Sequence, residues 1–73
     1  MNITLIGSIN DTYSRMTPQW FVDNDIQGEY VEVDAIPPEF IEAGVTSLPI
    51  VMLNGRIHCT GYDLEYLELL THL

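Results

Sequence analysis

The sequence predicts an α/β fold: a four-stranded mixed sheet flanked by helices, in the order β-α-β-α-β-β-α. Three observations predict it. An apolar, β-branched run, Ile3-Thr4-Leu5-Ile6, opens the chain. An Asn54-Gly55 dipeptide separates two apolar runs near the far end. Asn-Gly suits a type I′ hairpin turn, because both central residues need positive φ. Between and after these strands lie helical segments, so the first part of the chain reads as a strand-helix-strand unit with a parallel pair and a right-handed crossover.

Each element follows from its residues. Ile3 to Ile6 reads as a buried strand. Gly7 to Asn10 is turn-rich, and Asp11 or Thr12 can cap a helix there, because a side-chain oxygen accepts from its orphan N–H groups. That helix spans about Thr12 to Asn24. Pro18 either kinks it or marks its true start, with Thr17 as N-cap. Trp20, Phe21 and Met16 supply its apolar side, and Asp23-Asn24-Asp25 with Gly28 forms a turn. Glu29 to Ala35 alternates with period two, which places Val31 and Val33 on one face of a strand. Pro37-Pro38 opens a short helix carried by Glu39 to Ala43 and ended by Gly44. The hairpin strands are Pro49–Leu53 and Arg56–Cys59, with the proline at the first residue, where its missing N–H is tolerated. The last helix runs from Asp63 to His72. Its spacing places Tyr66, Leu69, Leu70 and Leu73 on one apolar face, with Tyr62 just ahead and Glu65 and Glu68 outward.

Length and composition narrow the function. The 73 residues make one domain, residues 1–73. A single cysteine, Cys59, excludes an internal disulfide, and a metal site needs more Cys/His clustering than this. Eleven acidic residues face only Arg15 and Arg56, with no lysine, for a net charge of −9. Such a chain does not bind nucleic acid through phosphates and does not favour an anionic membrane. The complementary expectation is a protein partner with a basic surface. No apolar run approaches the roughly 20 residues of a membrane span. The N-terminus lacks the pattern of a signal peptide. A cytoplasmic location with a reduced Cys59 is the expectation.

Two segments carry a family resemblance. Leu48-Pro49-Ile50-Val51 and His58-Cys59-Thr60-Gly61-Tyr62 resemble the C-terminal half of glutaredoxins and NrdH-type redoxins, members of the thioredoxin-like family. In that family an x-x-Pro-apolar-apolar segment with a cis proline opens a hairpin, and a Gly-containing turn leads into the last helix. The second segment resembles the family's His-Trp-Ser-Gly-Phe type of sequence. The resemblance implies a thioredoxin-like, glutaredoxin-type fold and a cis Leu48–Pro49 bond. It also implies a Cys-x-x-Cys motif at the start of the first helix, where the helix end favours a thiolate and a second thiol resolves the mixed disulfide. Alignment on the first strand places Asp11-Thr12-Tyr13-Ser14 at that motif. Asp11 stands for the nucleophile and Ser14 for the resolving thiol, so the family's reaction does not carry over.

No other residue replaces those thiols. Asp11 reads as a cap, and Ser14 has no histidine near it in sequence to act as base. Cys59 reads as a small buried hydrophobe in a chain with little to stabilise a thiolate. His58 and Cys59 are adjacent, so they should point to opposite faces of a strand.

The resemblance also implies a binding groove. The backbone of Leu48 would pair with a bound peptide or glutathione as an added strand does. Thr60-Gly61 and Tyr62-Asp63 would form the opposite wall, where glutathione-using members hold a carboxylate. Asp63 would repel that carboxylate, so glutathione is disfavoured and no cofactor is expected. Tyr13, Leu48, Pro49, Thr60, Gly61 and Tyr62 instead offer a patch suited to a protein. The expected function is a redox-inactive glutaredoxin-like domain acting as an acidic protein-binding module, an adaptor or inhibitor of a basic partner and not an enzyme. The alternatives are a redox protein with atypical single-thiol chemistry through Cys59 and an acidic mimic of nucleic acid. The mimic needs carboxylates gathered on one face, and here they are scattered.

Overall fold

The computed structural model describes residues 1–73. Its elements are β1 (Ile3–Gly7), α1 (Thr12–Asp23), β2 (Glu29–Glu32), α2 (Pro38–Glu42), β3 (Ile50–Leu53), β4 (Arg56–Thr60) and α3 (Leu64–Leu69), with a 3-10 turn at Leu70–His72 continuing α3. They build one sheet in the order β2-β1-β3-β4. β1 is parallel to β2 and antiparallel to β3, and β3 pairs antiparallel with β4.

Strand alternation divides the apolar residues between two faces. Ile3, Leu5, Val51 and Cys59 meet Phe21 of α1 and Leu67 of α3, with Leu70 beyond it. Ile50 joins Val45 and Leu48 on the other face, packed by Ile6, Met52, Val33, Ile36 and Phe40. The mixed sheet with helices on both faces follows from this division, as the pattern of the sequence predicts. No helix is long and apolar enough to cross a membrane.

Local chemistry sets the element ends. Asn54 and Gly55 take φ of 52° and 82°, the positive values a type I′ turn requires. The Asn54 N–H donates to Asn2 O at 2.7 Å, and Asn2 N–H donates to Asn54 Oδ1 at 2.9 Å, which ties the hairpin turn to the start of β1. α1 ends in a Schellman motif. Asp25 sits at φ 55°, its N–H donates to Val22 O, and the Ile26 N–H donates to Phe21 O. α2 closes in the same way at Gly44.

Several sequence expectations are corrected. α1 runs from its N-cap Asp11 through Pro18, so Thr17 is no cap. Thr17 is buried within the helix, and its Oγ1 donates to Tyr13 O at 2.7 Å. The buried face of α1 is Ser14, Thr17 and Phe21, while Met16 is exposed. β2 ends at Glu32 and not at Ala35, and all its residues are exposed. Val33 lies past the end of the strand and packs against the second cluster, while Val31 is exposed. The apolar face of the last helix is displaced in part: Leu70 is buried, as its spacing predicts. Leu67 is fully buried, whereas Tyr66 and Leu69 are each 51% exposed and Leu73 is more so. Tyr62, just before the N-cap Asp63, packs into the cluster that holds Leu67, as a hydrophobic staple does. Finally, Val51 pairs with Cys59 but Met52 with Ile57, so His58 is the extra residue of a β-bulge. The bulge breaks the alternation that would send His58 and Cys59 to opposite faces. His58 Nε2 lies 2.6 Å from Tyr66 O of α3, the helix whose Leu67 packs in the cluster of Cys59.

Candidate functional site

The site is built where β1 delivers the chain to α1. The two approach closely: a Cβ on Gly7 would lie 2.8 Å from the Ser14 Cβ, so only glycine fits at that position. Ser14 is buried as a result. Asp11 holds extended backbone angles and caps α1. Its Oδ2 accepts from the Ser14 N–H at 2.8 Å and from the Ser14 Oγ at 2.9 Å. The two positions that the resemblance assigns to thiols are thus bound to each other.

The loop before Asp11 is pinned from both sides. The N–H of the exposed Ile9 donates to Glu32 Oε2 at 2.8 Å, and its carbonyl accepts from Arg15 Nη1 at 2.7 Å. Tyr30 donates its hydroxyl proton to the other oxygen of Glu32 at 2.8 Å. Desolvation, then the hydrogen bond and charge of Glu32, push the Tyr30 hydroxyl up to about 12.

The facing wall comes from the hairpin. The Leu48–Pro49 bond is cis, and both residues are buried. Gly61, at φ 72°, donates its N–H to Pro49 O at 2.9 Å, while Thr60 pairs with Ile50. The protein's own hydrogen bonds leave the Leu48 N–H and C=O unused. The Tyr13 and Tyr62 rings stack with centroids 6.3 Å apart and planes 10° from parallel. Asp63 caps α3, its Oδ1 accepting from the Tyr66 N–H at 3.3 Å.

The structure therefore brings Tyr13 to Tyr62, and Leu48-Pro49 to Thr60-Gly61. An open cleft of about 590 Å³ adjoins them. Asp11, Tyr13 and Leu48 line it, and Pro49, Thr60, Gly61 and Tyr62 do not. Its remaining lining is Ala35, Ile36, Ile41, Thr46 and Ser47, none of which sequence reasoning selected. No local signal marks Ile36 and Ile41, which reach the cleft through the placement of α2.

Cys59 lies away from solvent, 7% exposed, in the core cluster. Burial, with the Asp63 charge adding, pushes its thiol up to about 11. A thiol so placed is a poor nucleophile near neutral pH. No three His, Cys, Asp or Glu side chains gather into a group that would hold a metal ion. What the site offers is surface: stacked tyrosines, an apolar cleft and an unpaired backbone at Leu48.

No family model and no curated protein matches the chain. Among solved structures it is similar to glutaredoxin 1 from Francisella tularensis, crystallised in complex with cacodylate, with a TM-score of 0.67 over 93% of this chain and 88% of that one. The identity is 13%, so the likeness is one of fold. The chain has a thioredoxin-like fold of the glutaredoxin type.

Proposed function

We propose that this chain is a redox-inactive glutaredoxin-like domain that works in the cytoplasm as an acidic protein-binding module, docking a basic partner as adaptor or inhibitor. The observation that carries the reading is the Asp11–Ser14 pair. It stands where the resemblance puts the thiol chemistry, and its carboxylate already satisfies the helix end. Cys59 does not substitute, because burial keeps it protonated. The excess of eleven acidic residues over two basic ones points to a basic partner. The stacked Tyr13 and Tyr62 beside Leu48 supply the aromatic centre that such contacts use.

Two measurements test this. Disulfide exchange with a glutathione mixed disulfide as substrate should give no turnover; turnover that survives Cys59→Ser would overturn the redox-inactive assignment. Partners retained from host lysate should elute as salt screens charge over roughly 8–10 Å. The Tyr13→Ala/Tyr62→Ala variant should lose them. Retention of the same partners by that variant places the binding surface elsewhere.

A further inference from the structure

We propose that the open edge of β2 takes up an extended, cationic segment of a partner protein as a fifth strand, with an apolar side chain of that segment seated in the cleft beneath the C-terminal half of α1. The cleft is distinct from the one at Asp11, with no lining residue in common, while Glu32 of the same strand also holds the Ile9 loop.

Three observations support it. First, β2 is an edge strand whose four residues are all exposed. Successive backbone groups of a strand alternate between its two sides. The Val33 N–H donates to Gly7 O of β1, so the N–H groups of Tyr30 and Glu32 turn toward the open edge. An added strand pairs through such groups, and its alternate side chains fall on one face. Second, that face is hollow beside the edge. A cleft of about 420 Å³ lies between α1 and β2, lined by Leu5, Pro18, Phe21, Val22, Ile26 and Tyr30 among others. Val22 at its rim is 71% exposed. Third, the surroundings are acidic. Glu29 and Glu32 end the strand, and Asp23 and Asp25 end the helix above it.

The charges decide the occupant. A second copy pairing on this edge would bring a net charge of −9 against −9 and crowd the glutamates of both strands along one seam, which repels it. Charged residues on a short edge strand guard against self-pairing in this way. A strand alternating lysine or arginine with apolar residues reverses the sign: its apolar side chains enter the cleft on the face of Tyr30, and its cations fall on the opposite face, which Glu29 shares.

The probe is a synthetic ten-residue peptide alternating valine and lysine, titrated into the whole protein. Backbone NMR and hydrogen exchange read the amides. The expected result is slowed exchange at Tyr30 and Glu32, with shifts at Phe21 and Val22. A peptide with glutamate for lysine should not bind. Neither should a valine-lysine peptide N-methylated along its pairing edge, which keeps the charge and loses the donors. Val22→Arg, on an exposed residue that leaves the fold intact, should weaken binding roughly tenfold, as loss of an interface anchor does. Equal binding of the N-methylated peptide, or binding that leaves the Tyr30 and Glu32 amides unprotected, would overturn strand addition in favour of charge attraction alone. A dimer of the protein by itself that Val22→Arg dissociates would overturn it in favour of a second copy.

Discussion

α1 and α3 cover the same face of the sheet and begin alike, yet they are held in different ways. Each starts at an aspartate that accepts from the N–H three residues on: Asp11 from Ser14 at 2.8 Å, Asp63 from Tyr66 at 3.3 Å. Asp11 also accepts from the Ser14 hydroxyl, so its carboxylate is fixed against the sheet. α1 can approach β1 that closely because its first buried residues, Ser14 and Thr17, are small. α3 is anchored further along by Leu67, and its cap remains at the periphery. The contrast shows that the same local device, an aspartate cap, holds a buried hydroxyl as well as a helix N–H at one helix and a helix N–H alone at the other. It also shows that each positive helix end is balanced by the chain's own carboxylate, which is the electrostatic reverse of stabilising a thiolate.

The contrast can be broken by mutation. Leu67→Ala should have the largest effect, costing about 2–5 kcal/mol in denaturant unfolding, because the side chain is fully buried between helix and sheet. A loss under 1 kcal/mol would show that α3 is not anchored there.

Alkaline pH should act next. The Cys59 thiol is raised by folding, so the folded state favours its protonated form. The stability this contributes is present below the ordinary thiol value and is lost as pH rises toward about 11, roughly 2 kcal/mol at most. Cys59→Ala should remove that part of the decline. Asp63→Asn, which keeps a capping side chain, should make the decline smaller, because without that charge the folded-state thiol ionises more readily. Thermal unfolding across pH 8–11 reads all three proteins.

Gly7→Ala should cost about 1–3 kcal/mol, because the added methyl meets Ser14 Cβ at 2.8 Å. A neutral result would mean that α1 can lift from β1.

The smallest effects sharpen the comparison of the caps. Asp11→Ala should cost about 1–2 kcal/mol and Asp63→Ala about 0.5–1 kcal/mol, because only Asp11 supports a buried hydroxyl as well as a helix N–H. Equal losses would erase the distinction drawn between the two helix starts.

Much of this molecule was legible from the chain alone. Signals that act over a few residues were readable: the Asn54-Gly55 turn, the aspartate ahead of α1, Gly44 after α2, and the apolar run of β1. The proposed equivalence of Asp11 and Ser14 to the family's thiols rests on a resemblance, which aligns residues without needing their contacts. The cleft was legible only in part. Asp11, Tyr13 and Leu48 stood out, whereas Ile36, Ile41, Thr46 and Ser47 join them only when α2 and the loop before β3 fold across the second face of the sheet.

The sequence by itself determined the order of the elements, the chain's acidity and the absence of a second thiol, since these depend on residue identity and on neighbours a turn away. Tertiary structure alone decided which residues were buried within each element. Helical spacing marks an apolar stripe on α3, but the docking of that helix selects Leu67 and leaves Tyr66 and Leu69 at the surface. Alternation marks β2 as a strand, but only the fold shows that all four of its residues are exposed. Period two assigns His58 to one face, but a bulge against β3 turns it toward α3. In each case the deciding contact lies far away in sequence, where local periodicity carries no information about the partner.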